Sequence, residues 1–582
     1  MAAIVEQPAP AVATAHAPPR AVPPRNRWTS LIGSAIHLRL ARRIRKLNNT
    51  AYWQRHTAAI QRRQLRSLLS RAANTEFGRE HAFARLARLS DADILPAYRA
   101  AAPIRDWYAF KDRIARMREG AEPDVLWPGI VRDYAQTSGT TAGDKYIPVT
   151  REMLRSNYRA SMDLLSHAAR FGVPPRRIFG GRILFLGGST DLATSDRGIR
   201  TGDLSGIVTP LIRWPITEVY SPGRDIALMS HWPAKIEAMA RSCLDQDIRM
   251  VSGMPSWAIV LFERVIALAR EKGRPARTLR DVWPNLSIFV HGGVKYAPFD
   301  PKVRTLWSGS PTGDDLPARL ELYPASEGFI AIQDRHRDPG LRLLTDIGNV
   351  LEFVPLESID DAGAPAFAAD EAEKGQRYVV VLSTCAGLWR YVLGDVVEFD
   401  TVPSRLDGRG GDGPARVRIV GRHRHFINAF GENLIVEHVE NAVAKAAAAA
   451  GLMVGEFTAA PVYPGEGRRA GLELAIEVEA KAVPSGSLRT FTEEFDQALK
   501  AQNVDYTTKR TDSLGMAPPT VTPLPLGAFH RWLASKGKVG GQHKCPRCAN
   551  AREIIEAVIA ASGVRSPGEG NGKPGAPNQL QA

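Results

Sequence analysis

Four short apolar runs place the tightest constraint on how this chain can fold: GRILFLG (181–187), DIRMVSG (247–253), LSIFVHG (286–292) and RLELYPA (319–325). Each is of strand length, and each stops at glycine or another small residue, so each reads as a buried strand. Helical stretches alternate with them. Pro255 opens one that runs to about Lys272, with Gly273 as its stop. RYVVVLST (377–384) and DVVEFD (395–400) read as strands on either side of a turn. The pattern predicts an α/β body with ligands gathered at the carboxyl ends of strands and the loops that follow.

The chain has 582 residues, too many for one ordinary core, so at least two domains are expected. A composition break falls at RLDGRGGDGPA (405–415). After it come a strand, RVRIVGR, a helix near Glu437 to Ala450, and further strands and helices. The division is therefore an Ala/Pro-rich, disordered arm (1–27), a large domain (28–421), a smaller α+β domain hinged to it (422–565) and a polar tail (566–582).

A hydrophobic fraction of 44% and a charged fraction of 24% are those of a soluble globular protein. No apolar run is long enough to cross a bilayer, and the N-terminus lacks the basic-then-apolar order of a signal peptide. Four cysteines do not make a disulfide framework, so the cytoplasm is the expected compartment. The net charge of +15 is concentrated: residues 1–75 hold thirteen Arg/Lys against one acid, Glu6, which leaves only +3 for the rest. Such basic helices either present a solvated face or lie against acidic partners or membrane surfaces.

The segment YAQTSGTTAGDKYIPVT (134–150) is not a Walker A loop. Gly139 and Gly143 enclose three residues instead of four, and Tyr146 follows Lys145 where serine or threonine belongs. A phosphate-binding turn of another geometry stays open beside an ordinary polar turn, because glycines let backbone amides converge while Ser138, Thr140 and Thr141 add hydroxyls and Lys145 adds charge. HGGV (291–294) and YPASEG (323–328) each follow a strand. Their glycines can admit a flat base, Tyr323 can pack on it, and Glu327 can hold a divalent cation; taken singly, each motif is better explained as a tight turn, with a core tyrosine. Asp395, after Gly394 at a strand start, suits the two hydroxyls of a ribose or a plain Gly-Asp turn. Arg422 sits at the hinge, within reach of a ribose or an α-phosphate. Cys545 and Cys548 form a CxxC without the second ligand pair of a zinc site. Lys544, after a glycine-rich stretch, is a cation on the small domain.

Taken in order, these parts resemble acyl-adenylate-forming enzymes. More closely they resemble the auxin-responsive promoter (Gretchen Hagen) family of acyl acid amido synthetases, in its bacterial-type branch. The likeness runs from NTEFGREHAF (74–83) through VLWPG, TSGTTAGDK, GMPSW (253–257), YPASEG and YVLGDVV to FINAFGENL and GAFHRWLASKGKVGGQHKCPR. It implies a large adenylate-forming domain of mixed sheets flanked by helices, with a smaller mobile C-terminal domain. The implied reaction uses ATP and Mg2+ to convert a carboxylic acid to acyl-AMP and pyrophosphate; an amino acid's amine then takes the acyl group. By that likeness Thr137, Ser138, Gly139, Thr140, Thr141 and Lys145 hold the β/γ-phosphates. Gly293, Val294, Tyr323 and Ser326 frame adenine, Glu327 faces magnesium, Asp395 takes ribose, Arg422 lies at ribose or α-phosphate, and Lys544 arrives with the small domain. Asn433 stands where plant members carry lysine. The competing readings are an adenylate former that hands its acyl group to a thiol such as coenzyme A, and a basic-armed polyanion-binding protein. The near-neutral body argues against the latter, and no nucleic acid partner is expected.

Overall fold

A computed structural model describes residues 27–563, apart from 138–144, 188–191, 479–485, 536–544 and shorter gaps. Among the described residues an eleven-stranded sheet organises the large part. In spatial order its strands are Val350–Pro355, Arg377–Ser383, Tyr391–Thr401, Arg416–Arg422, Leu341–Leu343, Gly328–Gln333, Arg319–Ala325, Ile288–Gly292, Ile248–Ser252, Arg182–Phe185 and Tyr220–Ser221. From Arg319–Ala325 onward neighbours run parallel; the other half is antiparallel. The four runs first read from sequence are thus adjacent strands in the parallel half.

Their apolar residues are covered from both faces of the sheet. Leu184, Val251 and Phe289 pack towards the helix Pro255–Glu271 through Ala258, Phe262 and Val265. Met250, Ile288, Val290 and Leu320 pack towards Leu40 of the helix Arg27–Asn48 and Ala160, Leu164 and Ala168 of the helix Arg151–Arg170. Thr150 caps the latter helix: its hydroxyl accepts from Met153 N at 3.0 Å and donates to Cys385 O at 2.6 Å, tying the helix start to the sheet.

The helices Arg27–Asn48 and Thr50–Ala72 contain no acid, yet part of their charge is used inside the fold. Arg43 pairs with Asp163 and Asp346, and Arg62 with Asp370. Lys46, Arg66 and Arg71 pair with Asp346, Asp91 and Glu152.

In the C-terminal part, Val454–Val462, Gly471–Val478 and Thr520–Pro525 form a three-stranded sheet. The helices Val436–Ala450 and Ser487–Gln502 pack on it. Cys545 and Cys548 are buried free thiols, pushed up to about 11 and about 12 by desolvation. Protonated thiols of this kind are poor nucleophiles at neutral pH. No helix among the described residues is long and apolar enough to cross a membrane.

Candidate active site

The cavity at the carboxyl ends of the parallel strands has a volume of about 1210 Å³, large enough for a nucleotide and a small acid. Thr137, Lys145, Gly293, Tyr323, Ser326, Glu327 and Asp395 all line it, although they are spread over more than 250 residues of chain.

Thr137 and Lys145 end the paired strands Asp133–Thr137 and Lys145–Val149 and face each other across the ladder. Residues 138–144, which include Ser138, Gly139, Thr140 and Thr141, lie outside the described residues, as do Val294, Asn433, Lys544 and the side chain of Arg422. The two described ends of the loop therefore open on the cavity.

The glycine pair after Ile288 has a different cause from the one its sequence suggests. A Cβ at Gly292 would stand 2.4 Å from Leu322 O, so that glycine serves the close approach of the next strand and not a ligand. Gly293 has φ +84°, a left-handed turn that glycine makes without strain, and it is Gly293 that lines the cavity.

YPASEG does not follow a strand; Tyr323 to Ala325 complete one. Ala325 pairs with Gly328, leaving Ser326 and Glu327 as the hairpin turn. A two-residue turn at the cavity rim holds the hydroxyl and carboxylate in fixed positions. Asp395 is likewise inside a strand, Tyr391–Thr401, instead of at its start, and it pairs with Arg422 across the ladder. The Tyr323 hydroxyl donates to Asp395 Oδ2 at 2.6 Å. That bond fixes the carboxylate that sequence assigns to ribose to the ring it assigns to adenine. On the roles the resemblance implies, Tyr323→Phe should raise the KM for ATP about tenfold, the worth of one hydrogen bond to a charged group, with a smaller change in kcat; steady-state kinetics at varied ATP check it.

Three wall residues were missed from sequence. Arg319, Glu321 and Tyr323 lie at alternate positions of one strand, and all three line the cavity. Tyr323 was picked out by its motif; the strand's period of two, had it been applied, places Arg319 and Glu321 on the same face. Burial pushes the Glu321 carboxyl up to about 7, with Arg319 opposing the shift. His291, beside Glu321 in the parallel register, is buried and held down to about 3, first by desolvation and then by Arg319, so its ring is neutral. The carboxyl of Glu321 therefore changes charge near neutral pH while its histidine neighbour does not. The folded state holds the proton more tightly than the unfolded chain, whose carboxyl has the ordinary value of 4.5. Its contribution to stability is thus fully present below that value and is lost as pH rises towards about 7. Glu321→Gln should flatten that part of the stability profile, read as urea midpoints against pH. Lys509, the third missed residue, sits in the helix Val504–Arg510 with its ammonium 4.5 Å over the Trp257 ring. It brings the C-terminal part to the cavity wall, and a lone lysine in TTKR gives no local signal of that.

A cavity at strand ends, closed by a second α+β part and lined by hydroxyl, carboxylate and lysine groups, has the layout of an acyl-adenylate-forming ligase. Three GH3 family models match the chain: the GH3 family N-terminal domain over residues 46–211 and 193–312, the central domain over 343–405 and the C-terminal domain over 437–553. The chain belongs to the GH3 family of acyl acid amido synthetases, acid–amino acid ligases that act through an acyl-adenylate. Probable indole-3-acetic acid-amido synthetase GH3.1 of Arabidopsis thaliana is 22% identical over 569 residues, 87% of this chain and 91% of that protein. Indole-3-acetic acid-amido synthetase GH3.8 of Oryza sativa subsp. indica is 26% identical over 316 residues, 51% of this chain and 49% of its own length. A solved GH3.15 acyl acid amido synthetase shares the fold, with a TM-score of 0.53 at 15% identity, covering 91% of this chain and 96% of that one.

Proposed function

We propose that this chain adenylates a small carboxylic acid with ATP and passes the acyl group to the amine of an amino acid, giving an amide and AMP. The observation that carries this reading is the convergence of Thr137, Lys145, Gly293, Tyr323, Ser326, Glu327 and Asp395 on one cavity. In it, Thr137 and Lys145, with Ser138, Gly139, Thr140 and Thr141 between them, grip the β/γ-phosphates. Gly293, Val294, Tyr323 and Ser326 frame adenine, and Asp395 accepts from the ribose hydroxyls. Arg422 and Lys544 serve the α-phosphate, the latter carried by the C-terminal part acting as a lid.

Adenylyl transfer needs alignment and charge neutralisation more than covalent help from the protein. The reacting acid's carboxylate attacks the α-phosphorus, and pyrophosphate leaves. The amine then attacks the acyl carbon, and AMP leaves. The chain's part is to fix the polyphosphate, hold the ribose and keep water from the mixed anhydride. The fit to magnesium rests on Glu327, a nearly buried carboxylate at the cavity wall. Magnesium is commonly held by one or two carboxylates together with substrate phosphates and water, and when bound it would neutralise phosphate charge.

The test is pyrophosphate exchange into ATP across a panel of carboxylic acids, beginning with indole acids because relatives bear those names. AMP release with mixed amino acids, read by mass spectrometry, follows. Acid-dependent exchange and an amide product are expected. A thioester formed in preference to an amide would transfer the chain to the thiol-acylating reading; absence of exchange with every acid would overturn adenylation.

A further inference from the structure

The first helix, Arg27–Asn48, turns one face to the body and another to solvent. The solvent face is unusual for a soluble enzyme. Trp28, Leu31 and Leu38 are 52%, 65% and 78% exposed, and at spacings of three and seven they fall on one stripe. Trp214, itself 65% exposed, stacks on Trp28 with ring centroids 6.4 Å apart. Towards the helix C-terminus the stripe becomes Arg39, Arg42 and Arg45, all exposed. Arg43 and Lys46 are instead paired with Asp163 and Asp346. The helix has no acid anywhere, and Arg20 and Arg25 precede it in the chain.

We propose that this face docks the protein on an anionic membrane surface. Tryptophan and leucine would enter the headgroup boundary, and the arginines would meet lipid phosphates and carboxylates. An exposed apolar stripe continuous with unpaired positive charge is the composition of helices that lie in the interface plane. Two alternative occupants fit less well. A second copy placed symmetrically on this face would bring Arg39, Arg42 and Arg45 against their own equivalents or their neighbours, a like-charge contact. A nucleic acid would use the arginines but leave two exposed tryptophans and two leucines without a role. The inference stands apart from the ligase reading, since membrane docking needs no catalysis.

The experiment is flotation of the full chain with vesicles of phosphatidylcholine, with and without phosphatidylserine. Binding is expected to the anionic vesicles, at least tenfold above the neutral ones, and to weaken as salt rises from about 0.1 to about 0.5 M, where screening shortens the reach of charge. Trp28→Ser with Leu31→Ser and, separately, Arg39→Gln with Arg42→Gln and Arg45→Gln should each reduce binding at least tenfold. Neither set touches the cavity, and a urea midpoint unchanged from that of the unaltered chain checks that each variant is folded. Equal binding to neutral and anionic vesicles, no binding to either, or binding untouched by both sets would overturn the proposal. So would self-association abolished by the Trp28/Leu31 variant in the absence of vesicle binding, which would give the face to a second copy. Salt-sensitive binding to an RNA oligomer lost only with the arginine set, without vesicle binding, would give it to nucleic acid.

Discussion

Lys145→Ala is expected to lower ATP–pyrophosphate exchange about a hundredfold, the scale of removing one preorganised charge-stabilising donor from a reacting phosphate or oxyanion. Lys145 begins its strand opposite Thr137, so the ladder fixes where its backbone sits before any ligand arrives. Its side chain reaches the cavity from that fixed point. The same substitution should leave the urea midpoint within the scatter of a surface change, about 0.5 kcal/mol, because the side chain is not part of a buried cluster. A loss of exchange accompanied by a comparable loss of stability would mean that the lysine holds the hairpin together. Unchanged exchange would remove the polyphosphate from this end of the cavity.

Arg62→Ala is expected to have the largest effect on stability, about 3–5 kcal/mol, because it strands a buried carboxylate without its partner. Arg62 and Asp370 are each more than nine-tenths buried, and the guanidinium meets both carboxylate oxygens, at 2.5 and 3.0 Å. The pair joins the second helix to the connection between the antiparallel strands Val350–Pro355 and Arg377–Ser383, more than 300 residues away in sequence. The adjacent Arg63 is exposed, and Arg63→Ala should change stability by no more than about 0.5 kcal/mol. Replacing Arg62 and Asp370 together by Met and Leu should recover most of the loss, since the penalty comes from the uncompensated charge and not from the missing attraction. Equal effects at Arg62 and Arg63 in urea denaturation would show that net positive charge, and not this pair, governs how the first helices are held.

The contrast between Arg62 and Arg63 also separates what the sequence reveals from what it conceals. Thirteen basic residues in the first 75 are plain to see. That five of them meet acids lying between Asp91 and Asp370, while Arg39, Arg42 and Arg45 stay exposed, depends on which side of each helix faces the body. The helix period narrows that choice, but the acids that decide it come from remote segments.

The same division holds at the site. TSGTTAGDK, YPASEG and YVLGDVV were legible as motifs because their glycines, hydroxyls and acids are local features. Their roles were drawn from the order in which they occur. Glu321 was passed over although it stands two residues before Tyr323, since an acid within an apolar strand was read as part of the strand. Leu341–Leu343, inserted between Arg416–Arg422 and Gly328–Gln333, is too short to carry a periodic pattern of its own. Its place is set by backbone pairing with both neighbours.

The sequence by itself determined the four strand segments, the helix stop at Gly273, the order of the motifs and the family, because each is written in residues near one another in the chain. Only the tertiary structure decided that Tyr323 donates to Asp395, that Gly292 serves strand packing while Gly293 opens on the cavity, and that Lys509 joins the wall from the C-terminal part. Those outcomes depend on contacts between segments tens to hundreds of residues apart. Such contacts are selected by the joint burial of both cores and by register across the sheet, and no local pattern encodes them.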